Sequence, residues 1–244
     1  MKSFWSNRRN VITAVVAGGL LLGAIGVGVL YFAVFAGSSP QKLTLSSPAP
    51  STSASATATG PTSGAGTWSV ASGSRAGYRV REQLASLPAP SDAVGRTTAI
   101  TGTLTLIQAA GGDSVSAASI TVDVSKLTSD KSMRDQRIHR QGLESDRYPT
   151  ATFQLTSPIA LPAGAASGQT IHVSATGSLT IHGVTKTVTI PIDGRLSGSQ
   201  IELVGSITFP FSDYGMTPPS IGGFVTVQNN ATMEFQLVLT RQGA

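Results

Sequence analysis

The chain has 244 residues, a net charge of +5, no cysteine and only 12% charged residues. These values exclude disulfides, thiolate metal sites, a cysteine nucleophile and a lipidated cysteine. The basic balance is too diffuse for a nucleic-acid surface, because neither a basic helix nor an aromatic–basic stacking motif accompanies it.

Residues 1–10 carry Lys2, Arg8 and Arg9 and are expected to form a cytoplasmic tail. Residues 11–36 follow without a charge and include the run VITAVVAGGLLLGAIGVGVLYFAVF. At about 1.5 Å per residue this run can cross a hydrocarbon layer of about 30 Å. The positive-inside bias then predicts a single-pass signal anchor with everything after Gly37 outside the cell membrane. The rival is a secreted chain cleaved near Val34-Phe35-Ala36, but the apolar run is long for a signal peptide. Residues 37–66 are rich in Ser, Thr, Ala and Pro, with too little apolar surface to offset the entropy of ordering. They are predicted to form a disordered tether.

From Thr67 to the C-terminus, residues 67–244, apolar residues alternate with Thr, Ser, Gln and Lys in segment after segment. Examples are Ile100, Leu104 and Leu106; Ile120, Val122 and Val124; Val188, Ile190 and Ile192; and Met233, Phe235, Leu237 and Leu239. Period two means half-buried strands with one apolar face. The short Gly, Asp, Asn and Ser connections favour antiparallel neighbours. About eight such strands must curl shut or pack against a second sheet, and closure removes both edges. The predicted class is therefore all-β, an antiparallel barrel of about eight strands. Pro191 marks an edge position or bulge. Ala175, Gly102 and Gly205 fall where the inward pattern calls for bulk, and so leave room inside or relieve crowding at bends.

One long connection breaks the pattern. It holds Lys126, Asp130, Lys131, Arg134, Asp135, Arg137, Arg140, Glu144, Asp146 and Arg147. Ser132-Met133-Arg134-Asp135 has the form of a capping box with Ser132 as N-cap, Gly142 stops the helix, and Pro149 starts the next strand. The connection reads as one short polar helix over an end of the barrel. Its mixed charges suit a salt-bridged solvated face, with a cationic rim for a ligand's head group as the sharper reading. Arg134 and Arg137 are the head-group candidates.

The large rings expected to line or plug the interior are Tyr78, Phe153, Phe209, Phe211, Tyr214, Phe224 and Phe235. No metal or cofactor is predicted: His139 and His172 lack partners at metal-ligand spacing, and His182 sits in a tight turn. No G-x-S-x-G elbow supports a hydrolase, so no catalytic residue is assigned.

The series Trp68, SDKSMRD (129–135), YPTATF (148–153), GSLTIHGVTKTVTIPI (177–192) and FSDYGM (211–216) resembles the YceI-like polyisoprenoid-binding family. The resemblance covers essentially all of 67–241, and the 177–192 hairpin is its most specific part. It implies an extended, lipocalin-like barrel with a helix, a long apolar tunnel, a long-chain lipid as partner and no general enzymatic activity. Two departures concern polar positions: Arg137 stands about where relatives often carry a His, and Phe211 where many carry a basic residue. The predicted function is a membrane-anchored extracytoplasmic protein that carries a polyisoprenoid or fatty acyl chain. The alternative is a structural or stress-related surface module with a solid barrel.

Overall fold

Alternation of apolar and polar residues gives each strand one face for an interior and one for water, and the strands close accordingly. The computed structural model describes residues 39–47, 64–85, 89–109, 112–197, 199–221 and 225–242. The expected tail, the expected membrane span, most of the expected tether and Phe224 lie outside the described residues. The strands are β1 (Gly66–Val70), β2 (Arg75–Leu84), β3 (Ser91–Thr97), β4 (Ile100–Ala109), β5 (Gly112–Asp123) and β6 (Thr150–Leu155). They continue with β7 (Ile159–Ala160), β8 (Ile171–Ile181), β9 (Val184–Ser197), β10 (Gln200–Phe209), β11 (Ser220–Ile221) and β12 (Val225–Arg241). One helix, α1 (Ser132–Arg137), runs on as a wider turn to Gly142.

Eight strands form a closed antiparallel ring in the order β1-β4-β5-β6-β8-β9-β10-β12, and β12 returns to β1 through Val70↔Leu239 and Trp68↔Arg241. The seventeen-residue β12 outlasts this pairing. Its first part, Val225 to Gln236, pairs instead with β2, and β2 pairs with β3. An isolated bridge from Arg96 of β3 to Thr128 carries the wall to the segment that follows β5. Pro191 sits where β9 loses its β10 partner: pairing with β10 spans 192–197 only, while β8 pairs along the whole hairpin. The missing N–H of proline therefore interrupts no ladder. The hairpin turns at His182-Gly183, both with positive φ, as a two-residue primed turn requires.

Two sequence expectations are corrected. The first concerns the cap of α1. Lys131, not Ser132, is the N-cap residue, and it makes no side-chain cap bond. The Asp135 carboxylate reaches further back and accepts from Ser129 N (2.9 Å) and Ser129 Oγ (2.6 Å). The helix thus begins one residue early, and Asp135 ties it to the preceding loop instead of to its own first turn.

The second concerns residues 40–47, inside the stretch expected to be disordered. They belong to the barrel unit and lie along its outer wall. The Arg79 guanidinium donates to the Pro40 carbonyl (2.7 Å), Arg96 to the Gln41 carbonyl, and Arg195 to the Ser46 carbonyl (2.5 Å). Ser46 N and Oγ each donate to Glu202 Oε1 at 2.8 Å. Period two puts Glu234, Gln236, Glu202, Arg79 and Val94 on the outer, wet face, yet Glu234 is only 3% exposed, Glu202 6% and Val94 5%. The strap accounts for this burial. Beneath it Glu234 bridges Arg96 (2.7 Å) and Arg79 (3.4 Å), while Arg195 pairs with Glu202 (3.0 Å). The half-buried Leu43 and Leu45 are the one signal that could have marked this segment, since they alternate with polar residues as in a short strand.

Burial by itself would raise the Glu202 carboxyl, but bonds from Gln236 and Ser46 and the charge of Arg195 hold it below its ordinary value of 4.5. A depressed carboxyl contributes stability that is full above its unfolded-state value and is lost as pH falls through the folded-state value. The wild type is therefore expected to melt above Glu202→Gln at neutral pH, with the gap closing below about pH 4.5. Thermal melts of both proteins across this range check it; a gap that persists in full acid would contradict it.

Candidate functional site

The interior of the barrel is hollow in two adjoining lobes. The inner lobe, about 160 Å³, lies among β4, β5, β6, β8, β9, β10 and β12, with Leu104, Ile171, Ile190 and Leu239 among its lining residues. The outer lobe, about 450 Å³, lies toward α1 and is lined by Val80, Ile138, Leu143, Phe211, Met216 and Val227, among others. Both are walled almost entirely by carbon. Val122 of β5, Ala151 of β6 and Met233 of β12 line both lobes and mark their junction. A dry apolar cavity of about 150 Å³ holds a benzene-sized molecule, and ligand pockets run from about 300 to 1,000 Å³. The cavities therefore suit an apolar body that is slender at one end.

The hollow is kept open by a device the sequence did not reveal. Three inward rings lie flat across glycines of a neighbouring strand instead of standing into the bore. A Cβ on Gly205 would meet Phe235 Cζ at 2.5 Å, one on Gly177 would meet Phe153 Cζ at 2.4 Å, and one on Gly95 would meet Tyr78 Cε1 at 2.3 Å. Phe235 pairs directly with Gly205, and Tyr78 with Gly95. The absent side chains give the rings a seat against the wall. Of the small residues singled out from the pattern, Gly205 seats a ring and Ala175 lines the inner lobe. Gly102 does neither: a Cβ there would meet the Ser119 carbonyl at 2.3 Å, so it serves close approach of β4 and β5.

The remaining ring candidates divide. Tyr78, Phe209 and Phe211 line the outer lobe, and Phe153 and Phe235 the inner. Tyr214 lines neither lobe. It is 1% exposed and packs edge-on against Phe209 with ring centroids 4.7 Å apart. Burial, assisted by the nearby Asp213 charge, pushes its hydroxyl up to about 12. Burial likewise raises the Tyr78 hydroxyl, whose oxygen is hidden from solvent, so its ring and not its oxygen meets the lobe.

Arg134 and Arg137 both stand at the helix-side mouth with Lys131 and the exposed Met133. Their situations differ. Arg134 donates to Glu82 (2.6 Å), to Ser129 (3.2 Å) and to Asp130, so two carboxylates already balance it. Burial disfavours its charge, and the bonds to Glu82 and Asp130 more than offset this. Arg137 and Lys131 have no ion pair among the described residues and are the cations available to a ligand at this mouth.

Among the described residues there is one close Ser–His pair. His139 Nδ1 lies 2.6 Å from Ser145 Oγ, but Ser145 is 1% exposed and lines neither lobe. A nucleophile must reach its substrate, so this contact reads as a buried tie within the helical connection.

Comparison with the curated proteins finds no match. Among solved structures, the chain is similar to a polyisoprenoid-binding domain from Saccharophagus degradans implicated in plant cell wall breakdown (14% identity, 71% of this chain and 98% of that one, TM-score 0.53). It is also similar to BcnA of Burkholderia cenocepacia (22% identity, 67% and 95%, TM-score 0.49). A third is the Campylobacter jejuni YCEI protein (13% identity, 61% and 84%, TM-score 0.48). The first of these shows a shared fold. A family model for the YceI-like domain matches residues 68–239, from the first ring strand into the last. With most of its length and nearly all of its closed ring inside that match, the chain belongs to the YceI-like family.

Proposed function

We propose that this protein is a non-catalytic carrier of a long-chain lipid, either polyisoprenoid or fatty acyl, held outside the cell membrane by an N-terminal anchor. The observation that carries the reading is the pair of carbon-walled lobes in line inside a closed barrel. Burying a chain there gains about 0.8 kcal/mol per methylene, so tail length dominates affinity. Two cations, Arg137 and Lys131, stand at one mouth to orient a polar head. The charge-free run from Val11 to Phe35, with Lys2, Arg8 and Arg9 before it, supports the anchor and the outward orientation. The alternative of a solid barrel is disfavoured by the lobes themselves.

The test is direct. The full chain is purified from native membranes, extracted with organic solvent and examined by mass spectrometry. A stoichiometric single-chain lipid is the expected result. Absence of lipid, together with no binding of polyprenyl or fatty acyl probes, would sink the reading.

A further inference from the structure

The carrier reading leaves open how long a chain the barrel takes, and the junction between the lobes bears on that. We infer that Met233 is the specificity-determining residue for chain length: a tail of ordinary acyl length fills the outer lobe, and a much longer tail passes Met233 into the inner one. This inference rests on the carrier reading.

The dimensions come from β12. Val225 lines the outer lobe and Leu239 the inner. The bulge between Val227 and Ala231 takes up two residues, so at about 3.3 Å per residue along a strand tilted by about 40° that stretch spans roughly 30 Å along the barrel axis. A bilayer core of about 30 Å is filled by two acyl chains end to end, so one acyl chain reaches about 15 Å. The two lobes together thus match a chain about twice as long as a membrane acyl tail, and the outer lobe alone matches a single one.

Of the three side chains at the junction, only Met233 can move aside. Ala151 has no side-chain torsion to turn, and Val122 is stiff at χ1. Met is unbranched, with three rotatable bonds, and fills irregular gaps. Met233 is half-buried although it faces inward, so it borders open space. Its neighbour across the β2 pairing is Tyr78, whose ring lies back over Gly95. Among the described residues no other inward side chain combines a place in both lobes with this freedom.

The test uses the full chain in phosphatidylcholine nanodiscs and two photoactivatable probes, palmitic acid and undecaprenol, each with a diazirine at the tail end. Crosslinked peptides are mapped by mass spectrometry. In the wild type, undecaprenol is expected to label inner-lobe residues within 171–179 and 190–197, and palmitic acid to label outer-lobe residues. Met233→Trp is expected to cut undecaprenol labelling of the inner lobe by about tenfold or more, since losing even two methylenes of burial has that effect. Palmitic acid labelling, which meets Met233 only at the end of the outer lobe, should fall several-fold less than undecaprenol labelling, and an unchanged far-UV circular dichroism spectrum shows that the variant has folded. Met233→Ala, which only removes atoms, is expected to raise inner-lobe labelling. Unchanged inner-lobe labelling in both variants, or equal loss of both probes in a folded Met233→Trp, would overturn the assignment. If neither probe labels the wild type, the carrier reading fails and takes this inference with it. If both probes label the wild type only in the outer lobe, the carrier reading stands and this inference falls.

Discussion

Gly205→Ala is expected to close the inner lobe and to strip the protein of long-chain lipid. The added methyl would sit 2.5 Å from Phe235 Cζ and 2.9 Å from the Pro191 carbonyl. Neither distance is tolerable, and the ring is the softer of the two neighbours. Phe235 must leave the wall, and the space it faces is the inner lobe. Overpacking of this kind costs about 1–3 kcal/mol. The functional loss should be larger than the loss of stability: about tenfold less long-chain lipid extracted per mole of folded protein, because a few methylenes of burial disappear. The second variant makes the cause visible. Gly205→Ala combined with Phe235→Leu has no ring to displace, so lipid content should return in large part, while the 2.9 Å contact with the Pro191 carbonyl remains and keeps the double variant less stable than the wild type. Residues in contact do not add, and a strong coupling between the two positions is the signature sought. Extraction and mass spectrometry of wild type, both single variants and the double variant check it. Unchanged lipid in Gly205→Ala would show that the flat ring does not hold the bore open.

Glu234→Ala should produce the largest stability loss at any outward-facing position. Alternation places this residue in water, and a sequence reader would assign its removal almost nothing. It is instead 3% exposed beneath the strap and bridges Arg96 and Arg79. Arg79 would keep Asp92 at 3.1 Å, but Arg96 would have no carboxylate partner among the described residues. Breaking a buried pair by removing one member costs about 3–5 kcal/mol; with Arg96 partly wet, about 3 kcal/mol is expected here. For a unit of this size that is a fall in Tm of roughly 6–12 °C. The strap should loosen as well, since Arg96 and Arg79 hold the Gln41 and Pro40 carbonyls. Lys42 is exposed, and no other Lys or Arg lies between Arg9 and Arg75. Faster tryptic cleavage at Lys42 therefore reports strap release. A melt within about 2 °C of wild type would show that the cluster is merely a solvated surface pair.

The candidate site was legible in outline and not in mechanism. Positions such as Ile190, Leu239 and Val122 fell on the inward face because their period is fixed by the pleat, whatever the rest of the chain does. Whether inward rings plug or line a barrel is not a property of their own strands. Phe153 depends on Gly177, which follows it by 24 positions in the chain, and Tyr78 depends on Gly95 across a hairpin. Tyr214 carries the same inward promise and became core, because Phe209 packs against it at the barrel end. Arg134 and Arg137 share one short helix, yet Glu82, from a strand about fifty residues earlier, balances only the first.

The sequence by itself determined an all-β antiparallel barrel with a single helical connection, the family, and the hairpin turn at His182-Gly183, because each of these is written in local period, turn chemistry or motif. Only the tertiary structure decided that the bore is hollow, that Met233 stands at its junction, and that residues 40–47 are strapped to the wall. Those features arise where side chains and backbone from distant strands meet. Register across the sheet sets such meetings, and no short stretch of sequence contains it.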